Sequence, residues 1–214
     1  MPTLTRGAAK QLCAVGERPC TGGPDETVKL ALREPVTGKA EAVWAHRGGV
    51  DVYSRTSRAQ TERPNVDHAL EVQLAEVALV RAFGAERAQM GSMATAQATE
   101  LLRGALNGLG NLNVTSAKIN QAKKGPVTAA INRLGNERLR TVSIEQLARQ
   151  GRARWLVDDG TWARIEGAVV AGYDDADARL RGDGVAVDAL PSAATLVEGT
   201  LDELHRVLGA LGLH

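Results

Sequence analysis

A chain of 214 residues, 43% of them hydrophobic and carrying a net charge of +1, is long enough to enclose a packed core. With three Trp, two Tyr and one Phe, that core has to be built from Leu, Val, Ile and Ala. No apolar run reaches the roughly 18 residues that span a bilayer, and residues 1–10 lack a signal-peptide core. The expectation is therefore a protein outside the membrane, cytoplasmic or exported without a cleaved signal.

In chain order, residues 1–24 read as an irregular arm punctuated by Gly22-Gly23-Pro24. Cys13 and Cys20 within it could close a small disulfide loop or stay as free thiols. A zinc site would need two further ligands, and none stands near. Residues 28–32 suit a short strand. Segments 42–46 and 50–53 flank Arg47-Gly48-Gly49 and suggest a hairpin. A polar loop, 54–64, follows. From Ala69 the period changes: Leu70, Leu74, Val77 and Val80 recur at helical spacing, with Asp67 placed to cap. A second helix is expected at 94–106, ended by Asn107-Gly108-Leu109-Gly110, then a short strand at 112–114. A helix from Ser116 is interrupted or restarted at Gly125-Pro126. Ser143 with Gln146 forms a capping-box pattern. Trp162, Ile165, Val169 and Tyr173 share a helical face, although Asp158-Asp159-Gly160 could instead turn a hairpin. Leu196, Leu201, Leu204, Leu208 and Leu211 stripe a final amphipathic helix over 192–211, as core or as a subunit contact through which the chain could form a homo-oligomer.

Charge is unevenly placed. Residues 111–154 carry nine Lys/Arg against Glu137 and Glu145, a surplus of +7, and 158–203 carry eleven acids against three Arg, or −8. A basic block suits a polyanion such as nucleic acid; two solvated helical faces that offset each other are the plainer reading.

Of the four histidines only His68 stands beside an acid, in Asn65-Val66-Asp67-His68. Downstream, Asn111 and Asn120 lie nine residues apart, with Lys123 three after the second and Gly125 soon after. An Asp-His pair followed by Asn…Asn-x-x-Lys resembles the HNH (ββα-metal) nuclease superfamily, in the variants found in RNA-guided enzymes and bacterial polymorphic toxins. The resemblance implies an α+β, mainly helical protein around a ββα-metal nuclease centre. It makes Asp67 and Asn120 ligands of one divalent ion, Mg²⁺ first, with Mn²⁺, Ni²⁺ or Zn²⁺ as alternatives. It makes His68 the general base, Asn111 the residue that pins the loop beside it, and Lys123 a contact to nucleic acid or the scissile phosphate. Lys118, Lys124, Arg58 and Arg63 join Lys123 as nucleic-acid contacts. DNA ranks ahead of RNA as substrate, and an inhibitor protein would accompany a toxin.

These residue types suit phosphodiester hydrolysis. A neutral His accepts a proton from water near pH 7, and a hard cation on Asp and Asn oxygens polarises phosphate. His68 and Asn111 are 43 positions apart, more than in typical members, and the stretch between reads as two inserted helices. The organisation expected is an arm at 1–40, a nuclease core at 41–135 with a helical insertion at about 69–107, and a helical extension at 136–214. Glu71, one turn after His68, could touch the metal or orient the base, with a solvated helix position the plainer reading, and the three Trp read as core anchors. The competing function is a helical binding or assembly module for nucleic acid or an acidic protein.

Overall fold

The structure is a computed structural model that describes residues 32–86, 92–134, 143–182 and 190–213. It is mostly helical with one small sheet. The cysteines and nearly all of the strand expected at 28–32 lie outside the described residues; Leu32 is described and fully buried.

The first helix, α1 (Ala40–His46), stands where the first hairpin strand was expected. Ala40, Glu41 and Ala42 are good helix formers, and burying Val43 and Trp44 outweighs the β preference of those two residues. Gly48 and Gly49, at φ +64° and +76°, turn the chain out of the helix. Strand β1 (Pro64–His68) follows, then α2 (Val72–Glu86) and α3 (Ser92–Leu106). Asp67 thus belongs to a strand and caps nothing. A single 3-10 turn, Leu109–Asn111, leads into β2 (Leu112–Ser116), and α4 (Ala117–Leu134) begins at the next residue. Pro126 sits inside α4 without ending it; its ring is buried with Val127 and Ile131.

The C-terminal part matches expectation closely. The Ser143 side chain accepts from the Gln146 N–H at 3.1 Å and caps α5 (Ile144–Gln150). Asp159 and Gly160 turn α6 (Arg154–Asp158) into α7 (Thr161–Gly182), so no hairpin forms there. In α8 (Pro191–Ala210), Pro191 opens the first turn, where a missing N–H does no harm. Leu196, Leu201, Leu204 and Leu208 are buried against α2 and α3, so the leucine stripe is core and that face is already covered within the chain.

β1 and β2 form a two-stranded antiparallel ribbon, with Val66 opposite Val114, Asp67 opposite Asn113 and His68 opposite Leu112. One face, through Leu112 and Val114, packs on Val43 and Trp44 of α1 as a small cluster separate from the main core. The main core joins Leu70 just before α2, Leu74 of α2, Leu102 of α3, Ile119 of α4, Trp162 and Ile165 of α7, and the α8 leucines. The helices inserted between the strands therefore share one interior with the C-terminal helices.

Helix α7 crosses the 3-10 turn so closely that Gly172 has no room for a side chain. A Cβ there would collide with Asn111 Oδ1 and come within 3.2 Å of the Leu70 backbone nitrogen. Helix propensity alone favours Ala over Gly by about 1 kcal/mol. Overpacking should nevertheless win, and Gly172→Ala is expected to lose about 1–3 kcal/mol. The urea midpoint checks this; a variant as stable as the parent would mean that α7 does not press on Asn111.

Candidate active site

The antiparallel ribbon followed at once by α4 brings segments 64–68 and 112–134 together, and Asp67, His68, Asn111, Asn120 and Lys123 fall within or beside this unit. Pleating sends successive side chains to opposite faces. Asp67 leaves the ribbon toward α4, and His68 leaves it on the other face.

On the Asp67 side the centre is Lys123. Its side chain is fully buried, so it does not face a phosphate as expected. Nζ lies 2.5 Å from Asp67 Oδ2, 2.5 Å from the His68 carbonyl oxygen and 3.0 Å from Glu71 Oε1. The Tyr53 hydroxyl donates to Asp67 Oδ2 at 2.9 Å. Burial alone would lower the lysine pKa, but the two carboxylates and Tyr53 outweigh it and hold the ammonium well above its ordinary range. Burial, helped by Glu71, pushes the Asp67 carboxyl up even against the pull of Lys123. Two carboxyl groups thus face one ammonium in a closed space.

Glu71 is 6% exposed, where a solvated position was expected. Its Oε1 is within ion-pair reach of Lys123, yet no donor is aligned on that oxygen. Asn120, one turn before Lys123 on α4, has a buried Oδ1 that also lacks a donor. Asp67, Glu71 and Asn120 thus offer hard oxygen donors of the kind a Mg²⁺-like ion takes. The ammonium stands between the two carboxylates, and among the described residues no group of three or more His, Cys, Asp or Glu is arranged to hold a metal.

Tyr53 is placed by Asp51, a residue sequence reasoning missed. Its Oδ1 accepts from the Tyr53 N–H at 2.9 Å and Asn113 Nδ2 at 2.7 Å, and its Oδ2 from Thr115 Oγ1 at 2.9 Å and Ser54 Oγ at 2.5 Å. With four donors a fully buried carboxylate is well satisfied. It clamps the 51–54 turn to the polar face of β2, whose Asn113 and Thr115 alternate with the apolar Leu112 and Val114.

On the other face His68 is 2% exposed, and its Nε2 lies 2.9 Å from Asn107 Oδ1. Burial holds the imidazole below the ordinary histidine value, by more than the bond to Asn107 raises it. Asn111 ties two backbone segments together: Oδ1 accepts from the Leu70 N–H at 2.7 Å, and Nδ2 donates to the carbonyls of Leu70 at 3.1 Å and Leu106 at 2.8 Å. Those bonds fix the turn that follows His68 to the start of β2.

The remaining cations are spread over the surface. Arg58 is tied by both terminal nitrogens to Glu41, at 2.6 and 2.5 Å. Arg63 is exposed at φ +45° beside the start of α4, where its carbonyl accepts from the Ala117 N–H. Lys118 lies over the Trp155 ring at 4.3 Å, and Lys124 is exposed. The residues missed in sequence (Asp51, Tyr53 and Asn107) are scattered polar residues. Asn107 carried a signal only as a helix breaker.

Because the folded state disfavours the imidazolium, the unfolded chain binds the proton more readily. The contribution of His68 to stability is complete above the ordinary value of about 6.5 and is lost as pH falls through the lower folded value. Stability followed from pH 7.5 to 5 should decline in the parent and decline less in His68→Gln. Parallel curves would show that His68 keeps its charge state on unfolding.

No family model matches the chain, and neither a curated protein nor a solved structure is significantly similar to it.

Proposed function

We propose that the chain is a divalent-metal-dependent nuclease that hydrolyses phosphodiester bonds at the β1–β2–α4 unit. One observation carries this reading: across a long helical insertion a two-stranded ribbon runs directly into a helix, and on or beside that unit stand Asp67, His68, Asn111, Asn120 and Lys123, residues that a resemblance to HNH nucleases selects from sequence alone, with the His68 side chain on the ribbon face opposite Asp67. Asp67, Glu71 and Asn120 would hold the ion, which when bound supplies Lewis-acid polarisation of phosphate and charge neutralisation. His68, neutral and oriented, accepts the proton of the attacking water. Asn111 fixes the backbone on which the base sits. Lys123 bridges the acidic pair and, being fully buried, does not touch the substrate. The Leu32 carbonyl and the Glu34 N–H both bond to Asn107 beside His68, so the 32–36 segment lies against the side chain that pairs with the imidazole.

Plasmid DNA and a structured RNA are incubated with the purified chain and Mg²⁺ or Mn²⁺, with EDTA as control. Ion-dependent cleavage of either polymer is expected, and intact polymers with both ions would end the reading.

A second reading, a non-catalytic module for nucleic acid or an acidic protein, is favoured by the burial of Asp67, His68, Glu71 and Lys123. Both readings use exposed cations on polyanions. Nucleic-acid affinity should therefore fall with salt, and Lys118→Ala with Lys124→Ala should flatten the log–log slope by roughly one to two units. A slope that the double variant leaves unchanged would remove this α4 surface from the interface.

A further inference from the structure

We propose that Asn107 is the positioning residue of His68: it holds the imidazole as the Nε2–H tautomer, turned so that Nδ1 is the proton-accepting nitrogen. This rests on the reading of His68 as the general base.

The orientation of the Asn107 amide is determined by its neighbours. Nδ2 donates to the carbonyl oxygens of Leu32 at 2.8 Å and Arg103 at 2.7 Å, which uses both of its hydrogens. Oδ1 receives the Glu34 N–H at 3.2 Å and faces His68 Nε2 at 2.9 Å. Flipping the amide would set an oxygen against two carbonyls and an NH₂ group against an N–H, so only one assignment satisfies the network. An amide oxygen accepts and cannot donate; the hydrogen between it and His68 therefore sits on Nε2. In neutral imidazole the other nitrogen then carries the lone pair.

Asn107 is itself immobilised. It is 3% exposed, at the end of α3, its N–H bonds to the Arg103 carbonyl at 3.1 Å, and its own carbonyl accepts from Lys39 Nζ at 3.0 Å. The α3 terminus, the 32–39 segment and the end of β1 thus meet at one side chain. A base held at a fixed angle by a rigid partner is the arrangement general-base catalysis requires. Nothing in the charge network around Lys123 supplies it, because that network touches His68 only through its carbonyl oxygen.

The test is ¹⁵N–¹H spectroscopy of the full chain with labelled histidine at pH 8, where the His68 ring, its pKa lowered by burial, is neutral. The chain has four histidines, and the spectrum of His68→Gln assigns the signal of His68. The expected result is a slowly exchanging proton on Nε2 of His68 in the parent, lost or replaced by a tautomer mixture in folded Asn107→Ala. A proton on Nδ1 in the parent overturns the proposal, as does an unchanged signal in the folded variant. If Asn107→Ala does not fold, the parent spectrum decides alone. In an active chain, Asn107→Ala should lower kcat by roughly 10- to 100-fold with KM little changed. A protected Nε2 proton in a chain that cleaves neither plasmid nor RNA would retain the orientation and reject the nuclease reading, so the two failures are distinguishable.

Discussion

Lys123→Met should lower the unfolding free energy by about 3–5 kcal/mol, the range seen when one partner of a buried ion pair is removed. The methionine fills most of the space, so the loss is electrostatic rather than a cavity. Without the ammonium, Asp67 and Glu71 face each other in an enclosed site, with one hydroxyl from Tyr53 on Asp67. The His68 carbonyl also loses a donor at 2.5 Å. Burial already pushes the Asp67 carboxyl up, and without the ammonium that opposes it the neutral form is favoured further, so the variant should recover stability as pH is lowered, opposite in direction to the His68 effect. Adding Asp67→Asn and Glu71→Gln to Lys123→Met should restore much of the loss, because neutral amides need no counter-charge. Chemical denaturation of the single and triple variants measures both statements. A single variant within about 1 kcal/mol of the parent would mean that the triad is hydrated and ordinary in energy.

The second large effect concerns activity. His68→Gln should cut the cleavage rate by about 10²–10⁴, the usual contribution of a general base, while the protein stays folded. Glutamine is the informative replacement because its amide can still donate to Asn107 Oδ1. His68→Ala is less clean. The imidazole is almost wholly enclosed and pairs with Asn107, so truncation leaves a void and an orphaned acceptor, a loss of about 1–3 kcal/mol for the unsatisfied group alone. Initial rates and melting temperatures measured together separate the two. Cleavage by His68→Gln at the parental rate would dismiss the imidazole as base whatever the fold.

Much of the architecture was legible in the sequence because it is written locally. The α8 leucine stripe, the Ser143 cap, the 112–116 strand and both inserted helices follow from period and capping chemistry, which act within one or two turns. Segment 42–46 was less legible: its Val and Trp suit a strand, and only the apolar face of the ribbon, formed by residues about 70 positions downstream, decides for a helix. Asp67 looked like a cap because a helix starts soon after it. Its pairing with Asn113 is a long-range fact.

For the site, sequence alone determined which residues stand out: an acid–histidine pair, two spaced asparagines and a lysine, with a basic segment around them. Asn111 clips the Leu70 and Leu106 backbones together, as a carboxamide at a turn entering a strand can do wherever two segments meet. The tertiary structure decided how the charges pair. Lys123 is one of several lysines in a basic helix by sequence, and what separates it from Lys124 is the side of α4 it occupies. The buried side meets two carboxylates, and desolvation makes that ammonium inseparable from them. The other side meets water, where a lysine remains free for a polyanion. A helix turns about 100° per residue, so adjacent lysines took opposite roles, and only the packing of α4 on the ribbon could assign them.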